Sequence, residues 1–245
     1  MKAMLLCAGY GTRLGDLTKN YPKPMLLIHG RPLLESLIVH LARSGILQIA
    51  INLHFMPELI KDYFREGQRW GVEIFYSYEP QLLGTAGGVK QIESFFEGED
   101  AFLVHYGDVL TDQDFSAMYT FHCETRAEIT MLLHQRAKSN SVVFLNEQKR
   151  VVAFLERPSD KERQKIKSPW VNSGISICNP SVFGAIPAGV ESDFPRHIIP
   201  KFIDQGKVYG FPLSGYRCAV DSPQRLEEAR SAIQEGRCKI SLPSD

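Results

Sequence analysis

Short apolar runs alternate with helical patterns through residues 1–125, and this alternation constrains the fold more than any other feature of the sequence. The apolar runs have the length and composition of buried strands. The first two enclose a stripe from Leu34 to Leu41, in which leucine and isoleucine recur at the spacing of one helix face. Strands joined by helices predict βαβ units and a mostly parallel sheet. The predicted strands cover residues 3–8, 46–53, 72–78 and 101–106.

Strand patterns joined by short turns dominate the sequence after residue 125. A charged segment at 159–168 interrupts them and is predicted to be a mobile insertion. A final helix is predicted at 223–235, with Ser222 as its N-cap. We therefore predict an α/β fold with a doubly wound, mostly parallel, Rossmann-like sheet and a β-rich second half. The strands expected in that half cover residues 128–135, 141–145, 151–156, 172–178, 208–212 and 216–220.

The balance of charges argues against a nucleic acid or a membrane as the partner. The chain has 28 basic and 28 acidic residues, so its formal net charge is zero. No apolar run reaches the roughly 18 residues that a membrane span needs. The apolar N-terminal run stops at Gly9, which is too early for a signal peptide. The five cysteines lack the spacing of a zinc site and are expected to be reduced thiols, so we predict a cytoplasmic protein.

A glycine-rich loop follows the first predicted strand. It runs from Gly9 to Gly15 and on to Lys23, which lies between two prolines. Glycines allow backbone N–H groups to approach phosphate oxygens closely. Residues 1–25 carry four basic side chains and one acidic side chain, so positive charge is concentrated in an otherwise neutral protein. This loop could wrap a triphosphate or could be a flexible surface loop with incidental charges, and the prolines favour the first interpretation because they restrict the chain.

Two other phosphate-binding motifs do not fit this loop. A dinucleotide fingerprint needs its third glycine at position 14, where this chain has Leu14, and Gly15 comes one residue late. The fingerprint also needs an acidic residue at the end of the second strand, where Leu53 and His54 stand. A P-loop needs Gly-Lys-Ser/Thr after the glycines, and the sequence has none there.

Two later segments carry residues that suit the same kind of ligand. Gly84 opens a predicted helix, whose N-terminal N–H groups are either free for an anion or used to pack the helix against a strand. Asp108 ends an apolar strand, where a carboxylate reaches the crevice at the edge of a parallel sheet and suits Mg²⁺. The alternative is that Asp108 caps a helix that begins near Asp112.

Five motifs lie in order along residues 1–174. They are residues 9–15 with Pro22-Lys23-Pro24, Leu83-Gly84-Thr85-Ala86-Gly87, Tyr106-Gly107-Asp108-Val109, Glu156-Arg157-Pro158 and Asn172-Ser173-Gly174. Together they resemble the signature of the sugar-1-phosphate nucleotidyltransferases. Within that family, the motifs are similar to those of the mannose-1-phosphate guanylyltransferases and of the enzymes for heptose and N-acetylmuramate phosphates.

The resemblance implies a role for each motif. Arg13 and Lys23 would be catalytic, and Asp108 and Asp221 would bind Mg²⁺. The nucleotide would be bound by Ala8, Gly9, Gly11, Thr12, Arg13, Lys23, Glu79, Gly84 and Thr85, with Gln81 as an alternative to Glu79 near the base. The sugar phosphate would be bound by Gly107, Glu156, Arg157, Asn172 and Gly174. A single domain over residues 1–245 would comprise a nucleotide-binding half at 1–125 and a sugar-phosphate-binding half at 126–245.

The implied reaction joins a nucleoside triphosphate to a sugar-1-phosphate and releases pyrophosphate. GTP and a hexose- or heptose-1-phosphate are the first expectation, while uridylyl, thymidylyl or cytidylyl transfer, or a non-catalytic nucleotide-sugar-binding module, stays open. The sugar phosphate is itself an anionic nucleophile, so the reaction needs no Ser-His or Cys-His arrangement, and the sequence shows none. No repeat segment follows the last predicted helix, so we expect no second acetyltransferase activity. A homo-oligomer is left open.

Two positions depart from the family pattern. Arg157 stands where many members have lysine, which keeps the charge but changes the geometry. The second metal-binding aspartate of the family corresponds to Ala219 here, and Asp221 lies two residues later. Two residues along a strand preserve the face and displace a side chain by roughly 7 Å, so a local change of the backbone would be needed to return Asp221 to the metal. Alternatively, Asp221 caps the final helix.

Overall fold

The computed structural model describes residues 1–136, 139–159, 162 and 168–240. Most of the charged segment predicted at 159–168, namely residues 160–161 and 163–167, lies outside this part of the chain. None of the helices in the described residues is long and apolar enough to cross a membrane.

The described chain forms two compact units. The first contains Met1–Leu82, His105–Asp114 and the chain from Ser214, and the second contains Leu83–Val104 and Phe115–Leu213. The two units alternate along the sequence, whereas the predicted binding halves divide it once, near residue 125. The assignment of the single domain and of its two binding halves stays a prediction.

Ten strands lie close to their predicted positions, and the short strands Leu27–Ile28, Arg31–Pro32 and Val109–Thr111 were not predicted. The strands are β1 (Ala3–Leu6), β2 (Leu27–Ile28), β3 (Arg31–Pro32), β4 (Gln48–Leu53), β5 (Glu73–Tyr78), β6 (Phe102–Tyr106), β7 (Val109–Thr111), β8 (Ile129–Gln135), β9 (Ser141–Leu145), β10 (Val151–Glu156), β11 (Trp170–Cys178), β12 (Val208–Pro212) and β13 (Arg217–Ala219). One sheet has the strand order β12, β8, β11, β6, β1, β4, β5. The pairs β1–β4, β4–β5 and β8–β12 are parallel, and β8–β11 is antiparallel. The predicted α/β fold with a mostly parallel sheet is therefore confirmed.

The helices follow the apolar stripes and end signals of the sequence. They are α1 (Leu33–Arg43), α2 (Pro57–Phe64), α3 (Gly84–Gln91), α4 (Phe115–Thr125), α5 (Ile199–Ile203) and α6 (Pro223–Gln234). After α1 the chain turns at Gly45, whose φ of 74° is a left-handed conformation that glycine adopts at low cost. At the start of α6 the Ser222 hydroxyl oxygen accepts a hydrogen bond of 3.3 Å from the Arg225 N–H, which confirms the predicted N-cap.

In the first unit, the carboxyl ends of three parallel strands lie side by side. The register of the sheet pairs Leu6 of β1 with Asn52 of β4, and Asn52 with Ser77 of β5. The residues that follow these strands therefore begin their loops at the same edge of the sheet. On the same unit, β13 pairs antiparallel with β7, with Ala219 opposite Val109.

An apolar cluster connects the glycine-rich loop of the first unit to the C-terminal helix. Leu14 of the loop and Leu226 of α6 are both about 3% exposed and belong to the same buried cluster. The cluster also contains Leu33 at the start of α1, Leu110 of β7 and the fully buried Val220. Burial of this surface removes each side chain from water and so holds the loop base and α6 in place.

In the second unit, β8 pairs with β11 on one side and with β12 on the other. β9 and β10 form the antiparallel hairpin that the short turn between them predicted. The pairing of β11 with β8 is irregular between Asn172 and Ser176, so one of the predicted motifs lies on a bulged strand. Bulges change the direction of side chains and are common beside binding sites.

A buried ionic network supports α1 in the first unit. Glu35 is fully buried, and its carboxylate accepts hydrogen bonds from Arg31 at 2.6 Å and from the Tyr63 hydroxyl at 2.7 Å. Burial raises the pKa of Glu35, but the hydrogen bonds from Tyr63, Arg31 and Trp70 outweigh it and leave the pKa below its ordinary value.

We predict that Glu35→Ala lowers the free energy of unfolding by about 3–5 kcal/mol, because it leaves the Arg31 guanidinium largely buried without its carboxylate. Glu58→Ala is the matched control, since Glu58 is 70% exposed in its ion pair with Lys61, and should cost less than about 1 kcal/mol. Urea denaturation of both variants measures the difference. Equal losses would show that the Glu35 network does not stabilise the fold.

Candidate functional site

The glycine-rich loop leaves β1 at Cys7 and closes on itself. Gly11 has a φ of 68°, a left-handed conformation, and precedes the 3-10 helix Thr12–Thr18. The Thr18 hydroxyl donates to the carbonyl oxygens of Gly11 at 3.1 Å and Gly15 at 3.2 Å. These bonds fix both ends of the turn. Ala8 is buried beneath the loop, while Gly9, Thr12 and Arg13 are exposed.

The two glycines at the start of the loop are required for different reasons. A Cβ atom at Gly11 would lie 3.1 Å from Cβ of Lys23 and 3.2 Å from Cγ2 of Thr18, and the positive φ adds strain. A Cβ atom at Gly9 would have no protein atom within 4 Å, and the φ of Gly9 is not in the left-handed region. Packing therefore explains Gly11 but not Gly9, and the predicted contact of Gly9 with the nucleotide stays a prediction.

Lys23 brings a positive charge to the end of the sheet. It is only 9% exposed, and its Nζ donates to the carboxylate of Asp108. Pro22 and Pro24 flank it, and Lys23 begins a short 3-10 helix, Lys23–Met25. Asp108 precedes β7 and is not the residue at the start of α4, so the alternative that it caps a helix near Asp112 is wrong. The predicted catalytic lysine and the predicted metal ligand thus meet in the structure.

Asp221 reaches the same loop through a local turn of the backbone. The Asp221 N–H donates to the carbonyl oxygen of Ala219 at 3.0 Å, which makes a γ-turn centred on Val220. The Val220 N–H donates to the main-chain oxygen of Asp108 at 2.8 Å, so the two aspartates lie on hydrogen-bonded segments. The Asp221 carboxylate accepts from Arg13 at 3.1 Å. Because Ser222 caps α6, the alternative that Asp221 is the cap is wrong.

The two carboxylates suit a hard divalent cation. Mg²⁺ prefers carboxylate oxygens and keeps several water or phosphate ligands, so one or two protein carboxylates can suffice. Across residues 1–136, 139–159, 162 and 168–240, no group of three or more His, Cys, Asp or Glu side chains is arranged to hold a metal. Asp108 and Asp221 are thus the pair that could bind Mg²⁺ together with a phosphate ligand, and that binding stays a prediction.

Gly107 lies against the first strand. Its N–H donates to the carbonyl oxygen of Leu6 at 2.9 Å, and a Cβ atom here would collide with Sγ of Cys7. Close packing therefore explains this glycine, and its predicted contact with the sugar phosphate stays a prediction. Burial, with a smaller contribution from Asp108, raises the pKa of the Cys7 thiol, so this cysteine stays protonated and packs as a small apolar side chain.

Glu79 is fully buried at the edge of the sheet. Its carboxylate accepts from the Asn52 side chain at 2.7 Å, and the Asn52 side-chain oxygen accepts from the Cys7 N–H at 2.7 Å. Gln81, the alternative near the base, is exposed. The role of Glu79 in nucleotide binding stays a prediction. Asn52 was not predicted, although a polar side chain at the end of a buried parallel strand is itself a signal for a ligand-binding site.

In the second unit, the start of α3 does not have the free N–H groups that were one expectation. The N–H groups of Ala86 and Gly87 donate to the Ser192 carbonyl oxygen, at 2.8 and 3.1 Å. The Thr85 N–H and hydroxyl both lie 3.2 Å from Oδ1 of Asp193. A Cβ atom at Gly84 would lie 2.6 Å from the same Ser192 oxygen. These N–H groups are thus bonded to the loop residues Ser192 and Asp193, not to a strand, and nucleotide binding by Gly84 and Thr85 stays a prediction.

The predicted sugar-phosphate residues Glu156, Arg157, Asn172 and Gly174 also lie in the second unit. Burial raises the pKa of Glu156, against the opposing effect of Arg157. Arg157 has a φ of 52°, a strained conformation for a non-glycine residue, and its side chain is 69% exposed. The Asn172 side-chain oxygen accepts from the Gly174 N–H at 3.0 Å, within the bulge of β11. The backbone strain at Arg157 and the strand irregularity that begins at Asn172 therefore lie within the predicted motifs.

We predict that Gly11→Ala lowers the melting temperature of the protein by several degrees, because φ is positive there and the new methyl group meets Lys23 and Thr18. Gly9→Ala should leave the melting temperature within about one degree, because the methyl group has room. Differential scanning calorimetry compares the two variants. The prediction is contradicted if both behave alike.

The comparisons with known proteins agree with this fold and loop. The nucleotidyl transferase family matches residues 2–235. UTP–glucose-1-phosphate uridylyltransferase of Synechocystis sp. is 37% identical over 84% of this chain and 56% of that protein. Mannose-1-phosphate guanylyltransferase of Mycobacterium tuberculosis is 32% identical over 96% of this chain and 65% of that protein. The chain therefore spans less than two thirds of the length of these relatives.

A solved structure shows the same architecture. The crystal structure of HddC from Yersinia pseudotuberculosis complexed with GMP-PN has a TM-score of 0.79 and 21% identity, and the match covers 95% of this chain and 99% of that chain. This likeness concerns the fold. The family match extends from β1 through α6 and includes the glycine-rich loop, Asp108 and Asp221. The chain therefore belongs to the nucleotidyl transferase family.

Proposed function

We propose that this protein is a sugar-1-phosphate nucleotidyltransferase. It would make a nucleotide sugar and pyrophosphate from a nucleoside triphosphate and a hexose- or heptose-1-phosphate, with Mg²⁺ as cofactor. The observation that carries the proposal is the arrangement of the first unit, where Lys23 and Arg13 of one loop each contact a carboxylate, Asp108 and Asp221. Transfer of a nucleotidyl group from one phosphate to another requires charges of this kind.

The nucleobase is the less determined part of the proposal. The relative from M. tuberculosis is named a guanylyltransferase, and the relative from Synechocystis uses UTP by its name. We propose GTP first, and UTP, TTP and CTP as alternatives that the assay below compares. A homo-oligomer is a further proposal that the same purified protein can test, and action in the cytoplasm is a further proposal.

The proposed mechanism is electrostatic. Attack of one phosphate on the α-phosphorus of another brings two anions together, so the site must neutralise charge and hold the reactants in line. Lys23, largely buried, provides a positive charge in a position that solvent screens weakly. Arg13, which is 66% exposed on its loop, offers a fork of N–H donors for phosphate oxygens. Mg²⁺ held by Asp108 and Asp221 would add charge neutralisation and orient the phosphates.

The same contacts couple nucleotide binding to metal binding. Each proposed metal ligand already has a cationic partner, Asp108 with Lys23 and Asp221 with Arg13. When both cations turn to phosphate oxygens, the carboxylates become available to Mg²⁺. The metal and the nucleotide should therefore bind tightly only together.

We predict that Arg13→Ala and Lys23→Ala each lower kcat/KM by at least about a hundredfold, the scale for losing a charge partner of the transition state. Lys19→Ala is the matched control, because Lys19 lies on the same loop, is 73% exposed and pairs with Asp16. Pyrophosphate release across four nucleoside triphosphates and a panel of sugar-1-phosphates measures the effect and identifies the substrates. Near-normal turnover in either variant would remove that residue from the site.

We predict that Asp108→Asn and Asp221→Asn abolish Mg²⁺-dependent turnover, because the amide keeps the shape and loses the charge. Asp221→Asn should change the melting temperature little, because its partner Arg13 is 66% exposed. Asp108→Asn should lower the melting temperature, because it leaves the Lys23 ammonium, which is 9% exposed, without its carboxylate. Asp16→Asn, which removes a carboxylate that is 89% exposed on the loop, should remain active. Calorimetric titration should show Mg²⁺ binding to the wild-type protein only with nucleotide present. Full activity in Asp221→Asn would leave Asp108 as the single proposed carboxylate ligand.

A further inference from the structure

The beginning of the glycine-rich loop is held to the sheet at two points. At the first point, the Cys7 N–H donates to the Asn52 side chain, which in turn donates to the Glu79 carboxylate, each at 2.7 Å. At the second, the Tyr10 hydroxyl lies 2.6 Å from Nε2 of His54, and Nδ1 of His54 lies 2.7 Å from the main-chain oxygen of Glu79. Both connections end at Glu79.

The end point of both connections is rigid. Glu79 is fully buried, and its N–H donates to the carbonyl oxygen of Leu53 at 2.8 Å, which extends the β4–β5 ladder past the last residue of β5. Asn52, the final polar residue of β4, is 3% exposed. Asn52 is therefore a strand residue and Glu79 continues the ladder of its strand, and side chains held in this way position a site more accurately than loop residues do.

Tyr10 contacts the sheet through its side chain. Tyr10 is 48% exposed and lies between Gly9 and Gly11, and glycines lose more conformational entropy on ordering than other residues. The Tyr10 ring meets the His54 ring edge to face, with centroids 5.0 Å apart, and lies 5.9 Å from the ring of Phe55. The hydrogen bond between the Tyr10 hydroxyl and His54 restrains the direction of this side chain.

We infer that His54 is a positioning residue that preorganises the glycine-rich loop for the triphosphate, by joining the Tyr10 hydroxyl to the main chain of Glu79. The inference rests on the proposed function for the identity of the ligand. His54 lies at the edge of the sheet and acts through Tyr10, so it needs no contact with substrate. A loop that is already ordered binds its ligand without the entropic cost of ordering it, and it holds the N–H groups in place for the reaction.

The hydrogen-bond directions allow this connection with His54 either neutral or protonated. The Glu79 carbonyl oxygen only accepts, so Nδ1 of His54 carries a proton and donates to it. In the neutral ring Nε2 then accepts from the Tyr10 hydroxyl, and in the protonated ring Nε2 donates to the Tyr10 oxygen. Nε2 can therefore make the contact with the Tyr10 hydroxyl either as acceptor or as donor.

A double-mutant cycle of Tyr10→Phe and His54→Asn tests the inference. Tyr10→Phe keeps the ring and loses the hydroxyl, while His54→Asn keeps a donor for the Glu79 oxygen and loses the reach to Tyr10. Each variant should raise KM for the nucleoside triphosphate about fivefold to tenfold, the scale of one neutral hydrogen bond, and leave KM for the sugar phosphate unchanged. Because both substitutions remove the same hydrogen bond, the KM of the double variant for the nucleoside triphosphate should be no higher than that of the more affected single variant.

Tyr21→Phe is the matched control, because Tyr21 is 57% exposed on the same loop, and it should behave as wild type. If the effects of the two substitutions on KM add in the double variant, the inference is overturned and Tyr10 is assigned a direct contact with the ligand. Equal KM values in all variants would overturn it as well. Melting temperatures that fall together with activity would instead assign His54 a structural role only.

Hydrogen–deuterium exchange separates this inference from the proposed function. The N–H groups of residues 8–12 should exchange faster in Tyr10→Phe and His54→Asn than in wild type or Tyr21→Phe, with no substrate present. Faster exchange with no turnover on any nucleoside triphosphate would retain the loop connection and reject the proposed reaction. Unchanged exchange would reject the connection itself, whatever the activity of the protein.

Discussion

The candidate site depends on a positive charge that is brought to the carboxyl edge of the sheet and stabilised there by a carboxylate. Lys23 is 9% exposed, and an ammonium group with so little water needs a negative partner, which Asp108 supplies. That requirement holds the proline-flanked segment against the end of the Asp108 strand. The γ-turn at Val220 then places Asp221 beside Arg13 of the same loop. One ion pair therefore organises the segments from which the proposed chemistry is built.

Two glycines of the predicted motifs are explained by the lack of space around them. Gly107 packs on Cys7, and Gly84 packs on the main chain of Ser192, so neither has room for a methyl group. Gly9 differs because space is open at its Cα. In the proposed function, that open space would allow a phosphate group to approach the backbone at Gly9.

Ordering of the loop is the second requirement of the proposed reaction. The Thr18 hydroxyl closes its far side, and the contacts from Asn52 and His54 hold its near side, so the flexible glycines have restraints on either side. Positive charge in a disordered loop would bind phosphate weakly, because ordering the loop would oppose binding. In the proposed function the fold thus separates two tasks: buried strand ends would determine position, and exposed loop residues such as Arg13 would meet the ligand.

The sequence by itself determined the alternation of β1, β4 and β5 with helices, the glycine-rich loop and the aspartate at the end of its strand, because apolar periodicity and turn residues act over a few neighbours. Tertiary structure alone decided that Ser192 would occupy the N–H groups of α3, that a γ-turn would bring Asp221 to Arg13, and that Glu79 would support the loop through Asn52 and His54. Arg13 and Asp221 are 208 positions apart, and Thr85 and Asp193 are 108 apart. Local patterns carry no information about such partners, since only the packing of the folded chain brings them within hydrogen-bond distance.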